Sequence, residues 1–176
     1  MLFARRKYRK LLEAIRLRDA AYLRELLAAC YDPNLRSPNG EPLLFEAVGS
    51  GDLRLVRAVL GAGADVDAQD SYGVSALTMA VLRGHPEVVK LLLAYHARVN
   101  TLDKDGMTAL MAAAAGNHAE LALMLLRAGA LPNLRNRAGL TALDIATNHG
   151  NQATAMVIRQ HTRARADGHT TVRRVG

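Results

Sequence analysis

His85 and His118 stand 33 residues apart among the six histidines of this chain. A recurring imidazole is the kind of ligand that divalent metals take, but a site needs three or four ligands in one cluster. No histidine here has the partner spacing for that. Ser75, Thr108 and Thr141 are hydroxyls at the same 33-residue interval. As nucleophiles they would need a base to activate them, and none is in reach in the sequence. Asp70, Asp103 and Asp105 lie in turn-like stretches, where carboxylates bond local backbone amides. The glycines do not gather into a phosphate-cradling loop. Cys30 is the only cysteine, which rules out an intramolecular disulfide and a cysteine-cluster metal site. Its neighbours Leu26, Leu27, Ala28 and Ala29 suit a buried, inert thiol. The chain is expected to be no enzyme, with no metal and no cofactor.

A repeat dictates where these residues stand. Gly40, Gly73, Gly106 and Gly139 are spaced by 33 residues. In the same phase follow Leu44, Leu77, Leu110 and Leu143, then Ala47, Ala80, Ala113 and Ala146. A turn residue comes next (Gly51, Gly84, Asn117, Gly150), and then an aliphatic one (Val59, Leu92, Leu125, Ile158). Ala64, Ala97 and Ala130 each precede an Asp or Asn by three, at Asp67, Asn100 and Asn133. Periods of this length signal stacked supersecondary units. Ser75, Thr108 and Thr141 are placed to cap a short helix whose Leu and Ala face inward. Pro42 takes that place in the first copy, as a helix start allows. The Gly or Asn that follows suits a left-handed helix end. A second helix, rich in Val and Leu at 88–93, then packs between neighbours.

Composition agrees with such a stack. Half the residues are apolar, only 4% are aromatic and Trp is absent, a poor match to a sandwich or barrel. No run reaches the ~18 apolar residues of a membrane span. The first residues have their charges in the middle and lack a secretory apolar core, so a reduced, cytoplasmic compartment is expected. The net charge of +7 divides as +5 over 1–36, −1 over 37–160 and +3 over 161–176. Basic character therefore belongs to the ends.

The stretch 106–133, GMTALMAAAAGNHAELALMLLRAGALPN, resembles the ankyrin repeat, whose pattern is Gly-x-Thr-Pro-Leu-His-x-Ala-Ala, Gly-His and Leu-Leu-x-x-Gly-Ala. The likeness covers about 38–160 and, more weakly, 8–37. It departs at the Pro (Ala76, Ala109, Ala142) and the His (Phe45, Thr78, Met111, Asp144) of the first helix. In one copy His96 replaces a glycine at a position that favours positive φ. The resemblance implies an all-α solenoid of helix-turn-helix units joined by short β-hairpin-like turns. The expected units are a divergent N-terminal cap at 8–37, repeats at 38–70, 71–103 and 104–136, and a C-terminal cap at 137–161. Residues 162–176 are expected to form a basic mobile tail. The cap's Arg9, Lys10, Arg16, Arg18 and Arg24 are expected on its outer, polar face, since terminal solenoid units must shield the stack. His85 and His118 are expected to bond nearby loop backbone, as in the family.

The resemblance further implies a concave contact face. Its variable columns lie one and two residues before the turn glycine, one after it, nine and ten after, and twenty-nine after. In the first full repeat they hold the small and polar set Pro38, Asn39, Glu41, Gly49, Ser50 and Gln69. Later repeats supply apolar Tyr72, Val74, Leu82, Leu102, Met107 and Leu140 with basic Arg83, Lys104, Arg135 and Arg137. Apolar groups rimmed by charge mark interaction sites. The expected function is that of a monomeric protein-binding adaptor whose partner offers an acidic, partly apolar segment. The alternative is that the basic termini bind nucleic acid or an anionic membrane, with the repeats as spacer.

Overall fold

A computed structural model describes residues 2–29 and 31–170, with side chains placed for 6–29 and 31–163. Cys30 and residues 171–176 lie outside the described residues, so neither the expected burial of that thiol nor the end of the expected tail falls on them. Each copy of the repeat folds as a pair of helices: α1 (Leu2–Arg16) with α2 (Ala20–Ala28), α3 (Leu43–Ser50) with α4 (Leu53–Gly61), and α5 (Ala76–Leu82) with α6 (Pro86–Ala94). Then come α7 (Ala109–Ala115) with α8 (Ala119–Arg127), and α9 (Ala142–Asn148) with α10 (Gln152–Thr170).

Local chemistry sets the ends of these helices. Ser75, Thr108 and Thr141 each accept, at 3.2 Å, the backbone N–H three residues on. Pro42 starts α3 without a side-chain cap. The turn inside each pair is left-handed, with φ of 68° at Gly51, 66° at Gly84, 54° at Asn117 and 70° at Gly150. Arg18 has φ 55° in the same column, so the divergent first pair keeps the register without the glycine. His96 likewise has φ 62°.

Thr141 has a partner the other caps lack. Asp144 accepts the Thr141 backbone N–H at 2.9 Å and its hydroxyl at 2.7 Å. These bonds, the backbone one first, hold the Asp144 carboxyl below its usual range. A carboxyl depressed in the folded state stabilises above its unfolded value, near ~3.9, and loses that contribution as pH falls toward the folded value. Thr141→Ala is expected to cost about 0.5–2 kcal/mol. Asp144→Asn is expected to flatten the acid limb of a urea-denaturation profile below about pH 4. An unchanged limb would refute the role given to Asp144.

First helices pack on first helices and second on second, in chain order. One apolar core runs the length of the stack, from Tyr8 to Ile158. Ala14, Ala47, Ala80, Ala113 and Ala146 are fully buried where the first helices meet. Leu44, Leu77 and Leu110 are buried beside them, while Leu143 is half-buried. Among the described residues no further first helix covers α9. The second helices keep a wet side: the exposed Lys90 and Glu87 pair at 2.6 Å on α6.

Side chains of one recurring column tie successive pairs together. Asn34 donates to Gly63 O at 3.3 Å and accepts Asp65 N–H at 2.8 Å. Asn100 does the same for Gly129 O (3.1 Å) and Leu131 N–H (2.9 Å). Asp67 accepts the Arg98 N–H at 2.7 Å and pairs with its guanidinium at 3.2 Å.

Three expectations change. Helix α10 does not stop at 161 but runs to Thr170, with Thr162 Oγ1 donating to Ile158 O at 2.8 Å. The missing apolar period there does not forbid a helix, because most of the residue types are compatible with one. The His85 ring packs on Gly51, where a Cβ would stand 2.9 Å from it, and its Nε2 has no hydrogen-bond partner. His118 packs likewise against Gly84 and Gly116, so these rings fill space at the turns. Arg9, Arg16 and Arg18 do not project from an outer face; they line hollows beside the first helices.

Candidate functional site

Between pairs the chain makes a hairpin whose tip is built on one side chain. Asp70 Oδ1 accepts Tyr72 N–H at 2.8 Å and Val74 N–H at 2.9 Å. Asp103 Oδ1 accepts Asp105 N–H at 2.9 Å and Met107 N–H at 2.8 Å. Asn136 Oδ1 accepts Leu140 N–H at 2.9 Å. The tips are also joined to one another. Lys104 N–H donates to Tyr72 O, and Arg137 N–H to Asp105 O, each at 2.9 Å. Carboxylates at 70 and 103 are thus engaged by local backbone amides.

The ten residues expected at the site divide into two groups. Tyr72 is 71% exposed, Leu82 54% and Leu102 48%. Arg83, Lys104, Arg135 and Arg137 are exposed too, and none forms an ion pair among the described residues. Val74, Met107 and Leu140, by contrast, are half-buried and pack against the core. Met107 also meets Asn136 Nδ2 through its sulfur, at 3.4 Å. Arg135 donates to Gly139 O at 2.6 Å and so braces its own hairpin. Residue type alone made Val74 resemble Tyr72; position across the glycine separates them, one turned to solvent and one to the core.

Two concavities on the first-helix side extend from these residues toward the N-terminus. One hollow of about 650 Å³ is bounded by Arg6, Tyr8, Arg9 and Leu12 of α1 and by Pro38 and Asn39 of the first hairpin. A second, of about 400 Å³, lies among Ile15, Arg16, Arg18, Phe45, Met79 and Arg83. Glu41 and Glu46 line both. Tyr8, only 5% exposed, donates to Glu46 Oε1 at 3.4 Å. Burial, then the negative charges of Glu46 and Glu41, push its phenol above the ordinary range. Arg36 is held by Gly40 O at 2.8 Å and Gln69 O at 2.7 Å, fixing the hairpin wall.

The sequence held a signal for this region. The contact columns, carried one unit back from Gly40 to Lys7, fall on Arg5, Arg6, Tyr8, Arg16, Leu17 and Arg36, of which Arg6, Tyr8, Arg16 and Arg36 stand at this region. Among the described residues no group of three or more His, Cys, Asp or Glu is placed to hold a metal ion. No described helix is long and apolar enough to cross a membrane.

Two family descriptions match the chain: ankyrin repeats (3 copies) over residues 11–103, and ankyrin repeats (many copies) over 94–146. No curated protein matches it.

Proposed function

The chain belongs to the ankyrin repeat family, and from that membership we propose that it is a non-catalytic scaffold binding another protein through the hairpin tips and first-helix ends of its second to fourth full repeats. Ankyrin repeats generally mediate protein–protein contact and are typically non-enzymatic. The supporting observation is the exposure of Tyr72, Leu82 and Leu102, large apolar side chains interspersed with the unpaired Arg83, Lys104 and Arg137. Tyr and Arg are enriched in protein interfaces, and exposed apolar groups grouped together and rimmed by charge mark interaction sites. An acidic, partly apolar segment complements this set.

Because Val74 and Met107 support the core, the informative variant changes only exposed residues. Affinity capture from native lysate, read by mass spectrometry, is expected to recover a protein with the native chain. Tyr72→Ser/Leu82→Ser/Leu102→Ser should lose it with an unchanged circular-dichroism melt. Recovery of the same protein by the variant would overturn this reading. A capture that vanishes steeply with added salt and also on removal of residues 162–176 would instead assign the contact to the basic termini.

A further inference from the structure

The two N-terminal hollows share a saddle, and the charges around it are left open. Glu41 and Glu46 line both, yet neither forms an ion pair among the described residues. Arg6 and Arg9 flank one hollow, Arg16, Arg18 and Arg83 the other, and none of these is in an ion pair either. Arg18 alone has a backbone contact, to Ser50 O at 3.5 Å. The order along the face is therefore basic, acidic, basic, with an apolar lining from Tyr8, Leu12 and Pro38 in the larger hollow. Unpaired charges of both signs, set in concavities, are what electrostatic complementarity to a specific partner requires.

We propose that this N-terminal groove, from α1 to Arg83, binds a peptide segment of another protein in which one Lys or Arg lies between acidic residues, next to an apolar side chain. The cation sits at Glu41 and Glu46. Flanking carboxylates meet Arg6 and Arg9 on one side and Arg16 and Arg83 on the other. The apolar side chain enters between Tyr8, Leu12 and Pro38. First helices ~8–10 Å apart place α1 and α5 ~16–20 Å from each other. Five or six extended residues, at ~3.3–3.6 Å each, span that distance. The inference rests on the reading of the chain as a protein-binding scaffold, and extends that face through the shared Arg83 to a region with its own charge code.

A random twelve-residue peptide library displayed on phage, selected against the full chain, tests it. The recovered peptides should share a Lys or Arg with Asp or Glu on both sides. A synthetic peptide of that consensus should lose at least tenfold in affinity with Glu41→Gln/Glu46→Gln. Its Lys→Gln analogue should be indifferent to the same change. Glu→Gln keeps the acceptor for Tyr8, and Arg83→Glu, at an exposed helix end, serves as the variant that leaves α1 untouched. It should weaken the consensus peptide while favouring a version with its acidic residue reversed to Lys. Peptides lacking the central cation would overturn the proposal. So would peptides that respond to Tyr72→Ser and ignore Glu41→Gln/Glu46→Gln, although the scaffold reading would survive. Failure to select any peptide counts against both. Self-association of the chain that is lost with Glu41→Gln/Glu46→Gln would replace the foreign peptide by a second copy, and overturn it as well.

Discussion

Leu110→Ala is expected to lower the free energy of unfolding by about 2–5 kcal/mol, the range for truncating a fully buried leucine where the surroundings collapse only in part. Leu110 is 1% exposed in α7, with α5 on one side and α9 on the other. Both neighbours are held by their own second helices, so the cavity left behind cannot close cheaply. Leu143 provides the internal comparison. It occupies the same column one repeat later but is half-buried. Leu143→Ala should therefore cost clearly less. Guanidinium melts of both variants, at matched slope, measure the difference. Equal losses would mean that the stack does not bury its leucines by position. In a solenoid each unit draws its stability from its neighbours, so hydrogen exchange in Leu110→Ala should rise first in α7 and α8.

Gly106→Ala carries the second large effect, and it acts on the hairpin tips. Gly106 has φ 74°, a left-handed conformation that disfavours a side chain by roughly 1–2 kcal/mol. A Cβ there would also stand 3.1 Å from Arg137 N, against backbone that has no flexible end to move. That amide donates to Asp105 O, so the substitution presses on the bond joining two tips. Gly139 separates the two causes, because its φ is 76° and a Cβ would meet nothing within 4 Å. Gly139→Ala should show the conformational cost alone. Gly106→Ala should exceed it and speed exchange of the Arg137 amide. Equal melts and an unchanged amide would refute the close approach.

The parts that could be read from spacing were those governed by local rules. Ser75 and Thr108 cap helices because a hydroxyl before an Ala-Leu pair can reach the amide three residues on. Asn117 ends its helix because asparagine tolerates a left-handed backbone. Arg18 was less legible, since arginine carries no such preference; only its column in the repeat marks it. Asn34 and Asn100 were visible as a recurring type, but the bridge each makes to the next pair needed the neighbouring backbone in place. The candidate site was harder. Tyr72 and Val74 flank one glycine and have similar apolar character, yet the hairpin turns one to water and the other onto the core. His85 illustrates the same limit. Its recurrence was plain, but that it fills the space over Gly51 depends on how closely two turns approach.

By itself the sequence determined the repeat, its 33-residue register, the capped helices and the left-handed turns. Each depends on dihedral preference, local hydrogen bonding and apolar spacing within a few residues. Only the tertiary structure decided which side of α1 its arginines occupy, and that Glu41 and Glu46 form a shared saddle between two hollows. Those facts depend on how α1 packs against α3 and where the first hairpin folds over it, and no periodicity within a single helix encodes that approach.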